Sequence, residues 1–120
     1  HGPRGNVFAT LLQLLREKSN AYILARHSDL ASTLIKITDL HDSASHVRAV
    51  TVLTHMTRHR DNTKHMVSHI PRLVTTLVRA CHSPSNDARQ YAAYSLQNLT
   101  GDGHNRQELA NAPDLIESLC

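Results

Sequence analysis

Apolar residues return along this chain at the spacing of a helical turn. The positions i, i+3, i+4, i+7, i+8 and i+11 are occupied by Ile70, Leu73, Val74, Leu77, Val78 and Cys81. That spacing places apolar side chains on one face of an α-helix. Pro71 lies at the start of the stretch, and proline is favoured at the first helical position because its missing N–H needs no partner there. The pattern predicts an amphipathic helix that begins at Pro71.

A second, longer period relates whole segments of the chain to one another. Leu11, Leu53 and Leu96 lie 42 and 43 positions apart. The same spacing separates three asparagines, Asn20, Asn62 and Asn105. A period of roughly 40–47 residues built from helices is typical of stacked helical repeats. One unit cannot bury its own apolar face, so its neighbours stack on it and form one continuous core. The sequence therefore predicts an all-α solenoid.

Local signals divide each repeat into a short, a medium and a long helix. Side chains that accept hydrogen bonds at helix starts are predicted at Ser28 and Asp29, and again at Ser85, Asn86 and Asp87. Gly101-Asp102-Gly103 is expected to end the last long helix. The buried face of that helix is predicted to contain Ala88, Ala92, Ala93, Leu96 and Leu99.

The chain has the length of one domain, and the period divides it into whole and partial units. A partial repeat at 1–18 contains a long helix at about 6–18, full repeats occupy about 19–59 and 60–103, and a partial repeat occupies 104–120. Apolar residues cluster at both ends: Val7, Phe8, Leu11, Leu12, Leu14 and Leu15, then Leu115, Ile116 and Leu119. Terminal repeats usually have a polar outer face. We therefore expect a piece of a longer array, with its ends covered by flanking repeats, or else ends covered by a partner or by self-association.

Composition excludes several classes of protein. Hydrophobic residues make up 40% of the chain, which supports a core, and the net charge is +3. This mild basicity lacks the dense Lys/Arg patch of a dedicated nucleic-acid binder. Cys81 and Cys120 show no disulfide pattern, which favours an intracellular location, in the cytoplasm, the nucleus or both. No apolar run approaches the roughly 18 residues of a membrane span, and no signal peptide is visible.

The repeat units match a recognisable pattern. They read N-x-x-x-[LM], then [IA]-P-x-L-[VI]-x-x-L, then A-[VA]-x-x-L-x-x-[ML]-T, with the best match over 87–119. Over essentially the whole chain this pattern resembles the armadillo repeat, which implies a right-handed stack of three-helix units. The usual corner glycine is replaced by His69 and Ala112, and the third-helix tryptophan by Ala9, Thr51 and Tyr94. A HEAT-type array, with two helices per unit, is the alternative.

The resemblance implies a concave groove lined by the third helices, where an Asn holds the backbone of an extended ligand. Asn98 matches that position, with Tyr94 one turn earlier. Gln13 and His55 occupy the equivalent positions upstream, and Gln and neutral His can also donate and accept hydrogen bonds. Thr51 is the counterpart of Tyr94. The alternative is that these are solvated polar residues on exposed faces.

Two arginines recur beside the expected groove. Arg16 and Arg58 lie one period apart, and Gly101 breaks the series. Guanidinium groups bind carboxylate and phosphate through paired hydrogen bonds, so the recurrence favours an acidic ligand. A charged face that only meets solvent remains the alternative.

Other constellations do not complete a catalytic or metal site. His55 with His59 and His65 with His69 are i, i+4 pairs, but zinc needs three or four ligands. Most histidines are expected at the surface. The sequence has no glycine-rich phosphate loop and no nucleophile elbow, and Cys81 ends an apolar stripe, as a buried structural thiol would. We expect no enzymatic activity, no metal and no other cofactor.

These observations favour a protein-interaction module that binds an extended partner segment, with acidic residues preferred, along the concave groove. The predicted contact residues are Gln13, Arg16, Thr51, His55, Arg58, Tyr94 and Asn98. One alternative is a structural segment buried in a large assembly. A less favoured alternative is a helical repeat protein that contacts nucleic acid, since stacking aromatics and dense Lys/Arg are lacking.

Overall fold

The computed structural model describes residues 3–40 and 44–110, and this part of the chain is helical with no strand. The helices are α1 (Pro3–Leu14), α2 (Lys18–Ala25), α3 (Ser28–Thr38), α4 (Ala44–Thr57), α5 (Arg60–His69), α6 (Leu73–Ala80), α7 (Asn86–Thr100) and α8 (Gly103–Ala110). The all-α prediction is confirmed. Within the described part, no helix has the length and apolarity needed to cross a membrane. The predicted features at Ala112, Pro113, Leu115, Ile116, Leu119 and Cys120 lie outside the described residues.

Helices in equivalent positions along the chain pack against each other. α4 lies between α1 and α7, α5 lies between α2 and α8, and α3 packs on α6. Helices that follow each other in the chain also touch, above all α3 with α4 and α6 with α7. Each helix of the segment α2–α4 thus packs on the helix three places later in the chain, in the segment α5–α7. In the segment α5–α7 the first helix is longer than the second, so the predicted order of short and medium helices is wrong there.

The core contains two apolar clusters. The larger one includes the fully buried side chains of Leu34, Leu53, Met66, Leu77 and Leu99. Burying one such side chain contributes about 1.5–3 kcal/mol to folding. The smaller cluster joins α4, α6 and α7 through Val50, Ala80, Ala88 and Ala92. Its alanines are short, so the helix backbones can approach closely.

Polar side chains also join the long helices α4 and α7. The hydroxyl oxygens of Thr54 and Ser95 are both buried and lie 2.7 Å apart. Nearer the helix ends, Nδ2 of Asn98 donates to Oγ1 of Thr57 at 3.1 Å. Buried polar groups are costly unless they are hydrogen-bonded. These bonds therefore fix how α7 is aligned along α4.

Among the described residues, one histidine is deeply buried and is an exception to the expectation that most lie at the surface. His46 in α4 is 1% exposed. Its Nδ1 contacts the Thr38 carbonyl at the end of α3, and its Nε2 lies 2.8 Å from Oγ of Ser83. A carbonyl oxygen can only accept, so Nδ1 carries the proton and Nε2 accepts from the Ser83 hydroxyl. The imidazole thus connects three segments that the apolar pattern does not relate.

Two helix boundaries differ from the prediction. α1 ends at Leu14 rather than at about 18, because the amide of Arg16 donates to the Gln13 carbonyl at 3.3 Å and tightens the chain into a turn. α6 begins at Leu73 rather than at Pro71. The Leu73 amide bonds the Ile70 carbonyl at 3.3 Å, and Arg72 has a φ of 68°. This is a type II turn, with proline second and a left-handed residue third.

The predicted caps and buried face are correct only in part. Ser85 caps α7, since its Oγ accepts from the Ala88 amide at 3.2 Å. At α3 the cap is His27, whose Nδ1 accepts from the Leu30 amide at 3.3 Å, while Ser28 and Asp29 lie inside the first turn.

On α7 the buried face contains Ser95, whereas Ala93 is exposed and Leu96 is half-buried. The buried positions Ala88, Ala92, Ser95 and Leu99 follow the helical period. Ala93 lies one position beyond this stripe, so its apolar character alone gave a wrong prediction.

Candidate functional site

The row formed by α1, α4 and α7 presents three of the predicted groove residues near the last turns of its helices. Gln13 in α1 is exposed, while His55 in α4 and Asn98 in α7 are half-buried. Because α4 packs between α1 and α7, these three positions belong to adjacent helices. The surface around them contains two separate cavities.

The first cavity, which we call the Arg58 cavity, lies between the ends of α1 and α4 and has a volume of about 630 Å³. It is lined by Leu12, Gln13, Leu15, Arg16, His55, Arg58 and His59. Four of the predicted contact residues therefore meet in one place. None of the described side chains that line it is a carboxylate. Its polar wall is made of one amide, two guanidinium groups and two imidazoles.

Contacts inside the Arg58 cavity orient its side chains. Nη1 of Arg58 lies 3.4 Å from Nδ1 of His55, so the imidazole accepts and is neutral in this arrangement. Nε2 of His59 donates to the Leu15 carbonyl at 3.2 Å and holds the end of α4 against the end of α1. Arg16 and Arg58 are exposed, which leaves their guanidinium groups accessible from solvent.

The surroundings of His55 lower the pKa of its imidazole. Burial has the largest effect, followed by the positive charges of Arg58 and His59. Burial removes the water that would stabilise the imidazolium, and the neighbouring cations repel it. Added positive charge is therefore unfavourable in the Arg58 cavity, and Arg58 is a charge that an anion there would meet.

The second cavity, the Asp102 cavity, lies at the end of α7 and has a volume of about 330 Å³. It is lined by Arg60, Thr63, Asn98, Gly101, Asp102 and Gly103. Gly101 stands at the position equivalent to Arg58, so no side chain projects there. Asp102 adds a carboxylate, whose Oδ2 accepts from the Thr63 hydroxyl at 3.5 Å. Asn98 thus lines a smaller cavity of mixed charge, apart from Gln13 and His55.

The remaining predicted residues have distinct surroundings. Thr51 is half-buried, and its hydroxyl donates to the Val47 carbonyl of its own helix at 2.7 Å. Tyr94 is 55% exposed. Neither residue lines the Arg58 cavity or the Asp102 cavity. Of the two, only Tyr94 presents most of its side chain to solvent.

The sequence prediction of contact residues omitted three basic residues. His59 was predicted only as half of an i, i+4 histidine pair, although that spacing places its imidazole on the same helix face as that of His55. Arg60 lines the Asp102 cavity. Arg48 is exposed one helical turn before Thr51, and the 3.6-residue period could have identified it.

The described residues also include side chains that could bind a metal ion and the thiol of Cys81. Within residues 3–40 and 44–110, no group of three or more His, Cys, Asp or Glu side chains could hold a metal ion. Cys81 is half-buried, and burial raises the pKa of its thiol, which disfavours the reactive thiolate.

Comparisons of the chain with models of protein families, with curated proteins and with solved structures find no match.

Proposed function

We propose that this chain is a non-enzymatic, armadillo-like module that binds an extended, acidic segment of another protein along the α1–α4–α7 row. Two features support a right-handed stack of armadillo-like repeats. The described helices form two three-helix units rather than helix pairs, and equivalent helices of successive units pack together. The groove then follows from the arrangement of the third helices, α1, α4 and α7.

The observation that carries this proposal is the charge of the Arg58 cavity. Arg16, Arg58, His55 and His59 line it, and the described lining contains no carboxylate. A guanidinium group binds a carboxylate through two parallel N–H···O bonds. Gln13 adds an amide that can donate to a peptide carbonyl and accept from a peptide N–H. A ligand carboxylate in this cavity would neutralise charges that now repel each other.

The two cavities also indicate how the ligand's residues are spaced. The Asp102 cavity contains Arg60 and Asp102, so its charge is mixed, and Gly101 leaves room for a side chain. Packed helices lie about 8–10 Å apart, which an extended peptide spans in roughly three residues. The ligand we propose has an acidic residue at the Arg58 cavity and a neutral polar residue about three positions away.

The test is the affinity of a fluorescein-labelled, Glu-containing decapeptide, measured by fluorescence anisotropy at low and moderate salt. Arg58→Glu should weaken binding by about tenfold or more, since it replaces an attraction by a repulsion. Lys64→Glu makes the same charge change at an exposed residue of α5 that lines neither cavity, and is the matched control. Arg16→Glu with Arg58→Glu should flatten the salt dependence.

Substitutions that keep the charge of the arginines test the remaining contacts. His55→Ala should weaken the decapeptide without unfolding the chain, because His55 is only half-buried. Asn98→Ala should also weaken binding of the decapeptide. This variant in addition loses the hydrogen bond from Asn98 to Thr57. Equal losses for Arg58→Glu and Lys64→Glu, or tighter binding of a single-stranded oligonucleotide than of the decapeptide, would contradict the proposal.

The outer face of α1 fits a further helical unit. Val7 and Leu14 are 55% and 41% exposed, whereas Ala49 and Met56 at the equivalent positions of α4 are fully buried. We propose that a flanking repeat or a second copy of the chain covers Val7 and Leu14. Val7→Lys with Leu14→Lys should then reduce self-association in sedimentation velocity. A chain that is monomeric at every concentration before substitution would exclude the second copy.

A further inference from the structure

A third cavity opens away from the groove. This cavity, which we call the Ile35 cavity, has a volume of about 560 Å³ and lies between the α2–α3 segment and the corner that joins α5 to α6. The described residues that line it all differ from those of the Arg58 and Asp102 cavities. Its volume falls within the roughly 300–1,000 Å³ of small-molecule sites.

The floor of the Ile35 cavity is the apolar core itself. Ala25, Ala31, Ile35 and Ile70 line the cavity, belong to the larger core cluster and are each at most 6% exposed. Pro71 extends this apolar surface at the α5–α6 corner. An apolar group that enters the cavity would therefore contact core side chains directly and leave water behind.

The rim is cationic, and part of its charge is not neutralised. Lys36, His65 and His69 lie on it, with the carboxylate of Asp29 opposed to them. Lys36 is exposed and forms no ion pair with any carboxylate in the described part of the chain. Its ammonium group is thus available to a ligand.

The two rim arginines are already engaged. Arg72 pairs with Asp39 at 2.6 Å. Arg26 donates to the Asn62 side chain and to the Asp61 carbonyl, each at 3.0 Å. These contacts hold Arg26 and Arg72 in place, so the ligand's charge would be met mainly by the ammonium group of Lys36.

The two imidazoles are held together. The rings of His65 and His69 are stacked, with centroids 4.3 Å apart and an interplanar angle of 11°. Nδ1 of His69 donates to the His65 carbonyl at 3.2 Å, so Nε2 accepts in the neutral ring and donates to an anion only when the ring is protonated. Burial lowers the pKa of His65 first, and the charges of Arg26 and His69 lower it further. An anion at the rim would relieve this repulsion.

We infer that the Ile35 cavity binds a small amphiphile with one anionic head group on an unbranched apolar chain. The head group lies among Lys36, His65 and His69, and the apolar chain lies on Ile35 and Ile70. Carboxylate and phosphate heads share the chemistry that this rim recognises. This site is independent of the groove, so either proposal can fail without the other.

The first experiment compares ligands that differ only in the head group. Decanoate, decyl phosphate, 1-decanol and decyltrimethylammonium are titrated separately, below their micelle concentrations, into the ¹⁵N-labelled chain and followed by NMR. Both anions should shift the amides of Ala31, Ile35 and Ile70 and bind about tenfold more tightly than decanol, because charge-assisted hydrogen bonds are strong. The tighter of the two anions identifies the preferred head group. Equal affinities for decanoate and decanol would overturn the inference.

The second experiment changes the rim. Lys36→Gln should weaken decanoate roughly two- to fivefold, and Asp29→Asn should strengthen it by a similar factor, as expected for exposed charges. Lys64→Gln is the matched control and should change nothing, and Arg58→Glu should leave decanoate binding intact while it weakens the acidic decapeptide. Circular dichroism verifies folding. Equal weakening by Lys36→Gln and Lys64→Gln, or no gain from Asp29→Asn, would exclude a specific head-group site.

Discussion

The guanidinium group of Arg26 donates to Oδ1 of Asn62 at 3.0 Å and joins the end of α2 to α5. Asn62 is fully buried. Its Nδ2 donates in turn to the carbonyls of Ala21 and Met56, each at 3.1 Å. One amide side chain of α5 therefore bonds polar groups at α2 and α4, where the segment α2–α4 meets the segment α5–α7.

We expect Asn62→Ala to lower the free energy of unfolding by about 3 kcal/mol, because two carbonyls and a guanidinium group each lose one hydrogen bond. Urea denaturation measures the change. Asn86→Ala removes an exposed asparagine at the start of α7 and should cost less than about 1 kcal/mol. A similar, small loss for both variants would show that Asn62 does not stabilise the junction.

The equivalent asparagine one unit later lacks part of this arrangement. Nδ2 of Asn105 donates to the Leu99 carbonyl at 3.1 Å, as Asn62 does to Met56. Its buried Oδ1 has no hydrogen bond among the described residues. His69 stands at the position that Arg26 occupies in the preceding unit, and its Nδ1 donates within its own helix.

His69→Arg should therefore stabilise the chain. A guanidinium group at this position can reach Oδ1 of Asn105 as Arg26 reaches Asn62, and we expect a gain of about 1 kcal/mol in urea denaturation. His65→Arg introduces the same charge one turn earlier and should give no gain. If both variants raise the stability equally, the gain comes from the added charge and not from a hydrogen bond to Oδ1 of Asn105.

The helices were predictable because burial repeats with the helical period. Leu53 and Leu77 belong to apolar stripes, and both are fully buried in the core. The spacing of Asn62 and Asn105 also marked a real structural role, since both amides bond the end of the preceding long helix. A period in the sequence records which positions meet equivalent neighbours, even when the side chain is polar.

Single residues without a periodic partner were not predictable. His46 is buried because Thr38 and Ser83 happen to face its two nitrogens, and nothing in its local sequence indicates this. The direction in which a side chain points is also not predictable from the sequence. Asn98 bonds Thr57 and lines the Asp102 cavity, apart from the Arg58 cavity. The position of Asn98 in the repeat does not predict this separation.

Substitutions of Arg72 measure the free-energy cost of its backbone conformation. Its φ of 68° lies in the left-handed region, which costs a non-glycine residue about 1–2 kcal/mol. Arg72→Ala and Arg72→Gly both lose the ion pair with Asp39, but only glycine relieves the strain. We expect Arg72→Gly to be about 1 kcal/mol more stable than Arg72→Ala in urea denaturation.

Arg79 is the matched control for that comparison. It also pairs with Asp39, at 3.3 Å, but lies within helix α6. In a helix, alanine is more stable than glycine by up to about 1 kcal/mol. Arg79→Ala should therefore be more stable than Arg79→Gly, the reverse of the order at Arg72. The same order at both positions would mean that Arg72 is not strained.

Stability should also depend on pH through His55. Because burial, Arg58 and His59 lower its pKa from the ordinary 6.5, the folded chain binds fewer protons at this imidazole than the unfolded chain does. Stability then rises with pH wherever the unfolded state holds more protons. The contribution of neutral His55 is fully present above about pH 6.5. It is lost as the pH falls through the interval between 6.5 and the lowered pKa.

We therefore expect the Tm to be lower at pH 5.5 than at pH 7.5, and His55→Gln to reduce this difference. The glutamine side chain keeps a polar group in place of the imidazole but cannot take up a proton there. Thermal unfolding followed by circular dichroism at the two pH values measures the effect, and the comparison with the unsubstituted chain cancels every other histidine. An acidic decapeptide in the groove should reduce the difference as well, because its carboxylate stabilises the imidazolium form. A His55→Gln chain that loses as much stability on acidification as the unsubstituted chain would show that His55 does not titrate in the way its surroundings require.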